Sequence, residues 1–155
     1  MIDILTLVDW FRVTSNAEMR TVDADELTQA KVMKLLYYVQ GTSLVVTGEA
    51  AFTDDILAMQ SGPFIQAVRN RYQDCRGIVG NIGGDTVALA HYNQVDPYSD
   101  LGDVMTAVWR SFGAMSTVEL GQQIHREQPW QETPRGGVIS LNTMADYFKR
   151  ELVDL

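Results

Sequence analysis

The stretch from Leu27 to Gly48 constrains the fold more than any other, because it combines great length with a wide apolar surface. Its apolar residues recur at the i, i+3, i+4 and i+7 spacing of a helical face and a stripe beside it: Val32, Leu35, Leu36, Val39, Ala30, Met33, Tyr37 and Leu44. Only a narrow strip, around Lys31, Lys34 and Gly41, is then left to meet water. We therefore expect a long helix in the middle of a bundle.

The two ends of this helix carry their own signals. Thr28 is suited to cap the amino end, and Gly48 is suited to close the carboxyl end in a left-handed conformation. The β-branched residues Val45, Val46 and Thr47 weaken helix propensity, so the last turn is expected to fray or to continue as extended chain.

Charge and composition narrow the class of protein. The formal net charge is −8, from 20 acidic and 12 basic residues, so the molecule repels phosphate backbones and anionic membranes and suits a basic protein partner. No run approaches the roughly 18 apolar residues of a membrane span, and the first residues lack a signal-peptide pattern. Cys75 is the one cysteine, which rules out an internal disulfide. We expect a cytoplasmic protein without nucleic-acid or membrane partners.

The remaining pattern predicts an all-α fold. We expect a short first helix from Asp3 to about Thr14, packed on the central one, and then a polar loop from Ser15 to Glu26. Phe52, Ile56 and Met59 fit a short strand or turn, and Ser61-Gly62-Pro63 is typical of a helix start, with proline at the first position. Four glycines between Gly77 and Pro97 predict a small β-hairpin or a mobile loop there.

The second half of the chain returns to helical periodicity. A helix is expected from Asp100 to Gly113, and Ser116 with Glu119 has the form of a capping box that opens the next one. Pro129 to Gly137 is expected to be a loop, and Ser140 to cap a last helix. The chain of 155 residues thus predicts one domain, residues 1–155, built as a bundle of about six helices with at most a small β-insertion around residues 77–97.

Catalytic and metal-binding patterns are sparse. His91, His125 and Cys75 stand far apart without metal-ligand spacing, so neither a metal nor a cofactor is expected. His125 with Glu127 is the best acid–base couple, although a histidine near a helix end also serves structure by bonding the terminal carbonyls. We infer no enzyme from these residues.

Two other functions stay open at the level of sequence. The glycine-rich segment GIVGNIGGD matches no phosphate-binding motif, and we interpret it as a loop. The helix opened by Ser116 is compatible with a helix-turn-helix, whose base-reading side chains would be Gln122, Gln123 and Arg126. The overall acidity of the chain argues against that use.

Three ordered motifs resemble one family. Residues Lys31 to Gly41, KVMKLLYYVQG, resemble the KLQKLLYYAQG core of the Panacea domain, also called the SocA-like or phage-associated GepA-type domain. Phe52 to Pro63 resembles its F…I.AW.YGPV segment. Its S..EL..LTH.E.PW ending is similar to a third set of residues: Glu119, Leu120, His125, Glu127, Pro129 and Trp130. The three motifs together cover roughly residues 3 to 150.

The resemblance implies an antitoxin. Panacea domains occur in two-gene toxin–antitoxin pairs, many borne by phages and prophages, where they neutralise toxins directly. A SocA-type relative delivers its toxin to a protease. The implied partners are therefore a cognate toxin and, as an adaptor, a cellular protease. The sequence departs from the family at Met59 and Ser61, where tryptophan and tyrosine are usual, at Phe64, where valine is common, and at Ile124, where threonine precedes the histidine.

The motifs also supply candidate contact residues. Affinity in a protein interface comes from a few anchors, often aromatic. We name as partner-binding candidates Tyr38, Ser61, Gly62, Pro63 and Trp130. The other motif residues are expected to be structural: Lys31, Lys34, Leu35, Leu36, Tyr37, Gln40, Gly41, Glu119, Leu120, His125, Glu127 and Pro129. The alternatives are a phage accessory protein that uses His125 and Glu127 or the glycine segment, and a DNA-binding repressor.

Overall fold

The computed structural model describes residues 2–21 and 26–151. Within them lie eight α-helices, a two-stranded sheet and one 3₁₀ turn at Ile82–Gly84: α1 Ile4–Thr21, α2 Gln29–Val46, β1 Leu57–Met59, β2 Gly62–Phe64, α3 Gln66–Arg71, α4 Thr86–Gln94, α5 Asp100–Phe112, α6 Thr117–His125, α7 Gln128–Gln131 and α8 Leu141–Glu151. The expected all-α fold with a small hairpin is confirmed. No described helix is long and apolar enough to cross a membrane.

Helix α2 is the centre of the bundle, as its apolar surface predicts. It packs against α5, α8, α6 and β2, and Leu35, Leu36 and Val39 are fully buried. The predicted water-facing strip is wrong for two of its three residues. Lys34 is only 5 % exposed, and Gly41 lies directly against the ring of Phe148. The strip is covered because neighbours far away in sequence pack on it, which leaves α2 buried on almost every side.

Both ends of α2 follow their local signals. The Thr28 hydroxyl accepts a hydrogen bond from the Lys31 backbone amide at 3.2 Å. The helix ends at Val46, inside the β-branched run, and Gly48 has a φ of +78°, the left-handed conformation in which glycine carries no Cβ penalty. These caps confirm the predicted ends to within two residues.

Helix α1 differs from its prediction in length and in partner. It continues to Thr21, so the loop predicted from Ser15 to Glu26 is wrong over residues 15–21, and residues 22–25 lie outside the described ones. The helix packs chiefly on α4. An ion cluster joins α1 to the start of α4 and to the segment before it. The Arg12 guanidinium binds Asp9 at 2.7 Å and Asp85 at 3.2 Å, and it donates to the Ile78 carbonyl at 2.6 Å. Arginine thereby fixes the glycine-rich segment against α1.

The β-structure is not where the glycines predicted it. Residues 77–97 contain the 3₁₀ turn and helix α4, whose first turn is capped by Asp85 through the Ala88 amide at 3.0 Å. The hairpin is instead β1–β2, with Leu57 opposite Phe64 and Met59 opposite Gly62. Gly62 adopts a φ of +123°, so Ser61-Gly62-Pro63 forms a turn and strand, and the predicted helix start is wrong.

The later helices begin and end near their predicted residues. Helix α5 ends at Phe112 before Gly113, and the capping box at Ser116 and Glu119 is formed in both directions. The Ser140 hydroxyl accepts from the Thr143 amide at 3.3 Å at the start of α8. The loop predicted from Pro129 also contains the short helix α7, in which that proline occupies the first turn.

Candidate functional site

Glu127 links the last family motif to the first. Its two carboxylate oxygens accept hydrogen bonds from the Tyr37 and Tyr38 hydroxyls, each at 3.0 Å. Gln123 donates to the Tyr38 hydroxyl at 2.8 Å. Glu127 is 3 % exposed, and the two tyrosines are fully buried. The carboxylate thus joins α2 to the chain just after α6.

Burial changes the pKa values of this cluster. Desolvation raises the pKa of Glu127 to about 7, against the opposing effect of the hydrogen bonds from Tyr37, Tyr38 and Gln123. Burial, with the adjacent Glu127 charge, also raises the pKa of Tyr37 and of Tyr38 well above the usual range. No described cation forms an ion pair with Glu127. Its charge is held by hydroxyl and amide groups alone.

This cluster bears on two of the sequence hypotheses. Tyr38 is fully buried and stacks on Phe112 with ring centroids 3.9 Å apart, so it is a core residue and offers no surface to a partner. The predicted His125–Glu127 couple is not formed, because the Glu127 carboxylate is bound to the tyrosines and makes no hydrogen bond with the imidazole. The two residues are close in sequence, but no hydrogen bond joins their side chains.

His125 belongs to a second cluster, made of stacked rings and a cation. Its ring stacks on Trp130 with centroids 4.1 Å apart, and the Arg135 guanidinium carbon lies 3.4 Å from the centroid of the Trp130 ring. The expected hydrogen bonds from His125 to the terminal carbonyls are not made. Its Nε2 atom is buried and has no partner among the described residues. The Trp130 indole donates instead to the Met59 carbonyl at 3.3 Å, which ties the stack to the hairpin.

Lys34 lies on the inner side of the same hairpin. A methyl group placed on Gly62 would stand 3.3 Å from Lys34 Cε, and one placed on Gly121 would stand at the same distance. The lysine stem therefore runs between the hairpin turn and α6. Burial lowers the pKa of Lys34, and burial followed by the charges of Lys34 and Arg135 lowers the pKa of His125.

The partner-binding candidates of the second motif sit at this turn. Ser61 is exposed, whereas Gly62 and Pro63 are buried beneath it. Trp130 is half-buried. We call Ser61, Gly62, Trp130 and Arg135 the hairpin face. Arg135 was missed by sequence reasoning, because neither periodicity nor a motif distinguishes it from other loop arginines.

Most of the other motif residues have structural contacts. Gln40 donates to the Phe52 carbonyl at 2.9 Å and accepts from the Ala51 amide at 2.8 Å, which fixes the chain after α2. Lys31 donates to the Gly113 carbonyl at 2.6 Å. Leu35, Leu36 and Leu120 are fully buried, Pro129 is buried, and Glu119 completes the capping box.

Three further points of the sequence analysis concern metal ligands, Cys75 and helix α6. No group of three or more potential metal ligands comes together in that part of the chain. Cys75 is exposed. Helix α6 exposes Val118, Glu119 and Gln122, Gln123 is engaged by Tyr38, and Arg126 is the one exposed base-reading candidate with a positive charge. The described part of this helix therefore presents a single arginine and no basic stripe.

An open groove of about 510 Å³ runs beside the Glu127 cluster. It is bordered by residues of α6, α8 and the connections around them: Met115, Glu119, Gln122, Gln123, Arg126, Glu127 and Tyr147. The groove is polar and mixed in charge. Glu127 contributes to its lining but is itself only 3 % exposed.

Comparison with known families agrees with the geometry of the motifs. The family model described as "Antitoxin SocA-like, Panacea domain" matches residues 32–131. This chain belongs to the SocA-like Panacea family. The matched segment of the Panacea domain begins in α2, includes the hairpin and ends in α7, so it contains the Glu127 cluster and the His125–Trp130 stack, whereas Arg135 lies just beyond it. No curated protein and no solved structure was found to match the chain.

Proposed function

We propose that this Panacea domain is the antitoxin of a two-gene pair and neutralises its cognate toxin by direct binding in the cytoplasm, without turnover of a substrate. The family supports the antitoxin role in general. The observation that carries the proposal is where the motif residues lie. Two motifs from distant parts of the chain meet at the hairpin face, and that face leaves cationic and aromatic groups at the surface.

The same geometry makes a protein partner more suitable than a substrate. Glu127 is held by Tyr37 and Tyr38, so the strongest acid–base candidate of the sequence is used to hold the fold together. Trp130 is half-buried between His125 and Arg135, which orients its ring rigidly. A rigid aromatic residue beside an arginine is the usual composition of an interface anchor.

Co-expression tests this function. The product of the neighbouring gene is expressed alone and with the wild-type domain, and growth is measured. Rescue of growth, with a complex that co-purifies at a fixed ratio, is the expected result. Loss of toxin protein in cells that also carry an active protease would add the adaptor role to direct binding. Failure of the wild-type domain to bind the neighbouring product would contradict the proposal.

Two substitutions locate the contact. Ser61→Arg changes an exposed residue of the hairpin face, and we expect it to abolish rescue while the protein stays folded. Tyr98→Ala removes an aromatic side chain that is 94 % exposed and distant from the motifs in sequence, and rescue should be unchanged. Equal rescue by both variants would place the contact elsewhere on the domain.

A further inference from the structure

The hairpin turn covers a buried positive charge that has no counterion. Lys34 is 5 % exposed, and its ammonium has neither a hydrogen bond nor an ion pair among the described residues. His125 Nε2 is the one described side-chain polar atom that is fully buried without a partner. The small exposed remainder of Lys34 therefore includes its ammonium.

The surroundings of Lys34 are positive and not acidic. Burial alone accounts for the lowered pKa of Lys34, and no carboxylate acts against it. The groups that act on His125 are Lys34 and Arg135, both cationic. The Arg135 guanidinium donates hydrogen bonds to the backbone carbonyls of Ala58, Trp130 and Thr133. It forms no ion pair with a described carboxylate, so its charge is also not neutralised by an acid.

Such an arrangement is costly for an isolated protein. A buried ammonium normally needs a paired carboxylate or several acceptors, and an unsatisfied buried nitrogen loses its hydration without replacement. Here Lys34 lies beneath the hairpin turn, and His125 is near enough for the lysine charge to lower its pKa, in a chain whose net charge is −8. Acidic residues are plentiful elsewhere in the sequence, yet none of those that the structure describes pairs with Lys34. A carboxylate from another molecule is expected to replace water at the small exposed part of the ammonium.

We propose that Lys34, beneath the hairpin turn, is an anchor for a carboxylate side chain of an acidic segment of the partner protein, with His125 as a second donor and Arg135 at the rim. The identity of that partner as the toxin rests on the proposed function. The carboxylate approaches past Ser61, the exposed residue of the turn, and a bond from His125 Nε2 requires a displacement that uncovers this buried atom. Trp130, held between His125 and Arg135, keeps these two groups in position.

The first test uses the isolated wild-type domain and needs no toxin. A short peptide, blocked at both ends, carries one glutamate as its only charge, and the control peptide carries glutamine. We expect a saturable shift of the His125 ring and Lys34 side-chain signals in NMR spectra with the glutamate peptide alone. The shift should vanish in Lys34→Met. No shift specific to the glutamate peptide would overturn the carboxylate site.

The second test uses the complex with the product of the neighbouring gene. Lys34→Met should weaken binding about tenfold or more, since it removes one member of a desolvated charge pair. Lys149→Met makes the same charge change at an exposed site on α8 and should leave affinity unchanged. Undiminished binding by Lys34→Met would overturn the anchor while leaving the antitoxin function in place. Failure of the wild type to bind would contradict the antitoxin function, and the peptide test would still decide the site.

The free energy of unfolding of Lys34→Met is measured on the same samples as a control for folding. Replacement of an unpaired buried charge by an apolar side chain of similar length is expected to keep or raise the free energy of unfolding. A Lys34→Met variant that is markedly less stable than the wild type would show that the ammonium serves the fold, and this result too would overturn the proposal. Ser61→Glu gives an independent variant, because a carboxylate fixed at the turn should compete with that of the partner.

Discussion

The Tyr37 hydroxyl donates a hydrogen bond of 3.0 Å to the Glu127 carboxylate, which lies ninety residues later in the sequence. Together with the bond from Tyr38 it fixes the end of the last motif on the central helix. The interaction is buried, so neither partner has water as an alternative.

Loss of the Tyr37 hydroxyl is expected to destabilise the domain. Tyr37→Phe leaves one carboxylate oxygen without its donor, which costs about 1–3 kcal/mol for a buried acceptor. The pKa of Glu127 should rise further, because the hydrogen bond from Tyr37 lowers it. Denaturant unfolding and NMR titration of Glu127 measure the two effects. Tyr147→Phe, at a half-buried tyrosine on α8, is the control and should change stability little.

Stability should fall as the pH rises through neutrality. Burial raises the pKa of Glu127 to about 7 in the folded state, whereas an unfolded glutamate titrates near its ordinary value of 4.5. Between these values the folded state binds more protons than the unfolded state. The contribution of Glu127 to the free energy of unfolding is therefore fully present below pH 4.5 and is lost as the pH rises through 7. The loss is about 3 kcal/mol at most, from the size of the shift.

The variant Glu127→Gln isolates this contribution. The glutamine side chain keeps the shape of glutamate and one acceptor oxygen, and it cannot ionise. We therefore expect the free energy of unfolding of this variant to change less with pH between 5 and 8 than that of the wild type. Asp146→Asn, at an exposed position, should retain the wild-type slope. A Glu127→Gln profile that falls as steeply as the wild type would show that another group causes the pH dependence.

The contact between Gly41 and Phe148 should not accept a side chain. Gly41→Ala places a methyl group within contact of the fully buried Phe148 ring. Overpacking in a core costs about 1–3 kcal/mol. The higher helix propensity of alanine, compared with glycine, offsets up to about 1 kcal/mol of this cost. We expect a lower melting temperature for Gly41→Ala, and recovery in the double variant Gly41→Ala, Phe148→Leu. A more stable single variant would mean that the ring moves aside freely.

The Arg12 cluster should be sensitive even to a conservative change. Arg12→Lys keeps the charge, but an ammonium cannot reach Asp9, Asp85 and the Ile78 and Val79 carbonyls together. We expect a loss of about 2–4 kcal/mol, by analogy with broken buried ion pairs. Arg110→Lys on the exposed side of α5 is the matched control. Hydrogen exchange should show the largest change in α4 and the segment before it, because Arg12 fixes both.

The features that the sequence determined are those whose cause lies within a few residues. Apolar spacing established α2 and α5, and the Ser116–Glu119 capping box established the start of α6. Helix α4 was missed because it follows several glycines and buries only Ala88, so it lacks an apolar stripe. The hairpin was misplaced because Gly62-Pro63 fits a helix start as well as a turn followed by an edge strand.

Tertiary structure alone decided which polar residues of the motifs are covered. Lys34 has the helical position of a surface lysine, and it is buried because Gly62 and Gly121 bring the hairpin and α6 against its stem. Glu127 stands two residues after His125, yet its partners are Tyr37 and Tyr38. Periodicity records which side of a helix a residue occupies. Desolvation and pairing depend on what packs against that side, and here those neighbours come from parts of the chain that no local pattern connects.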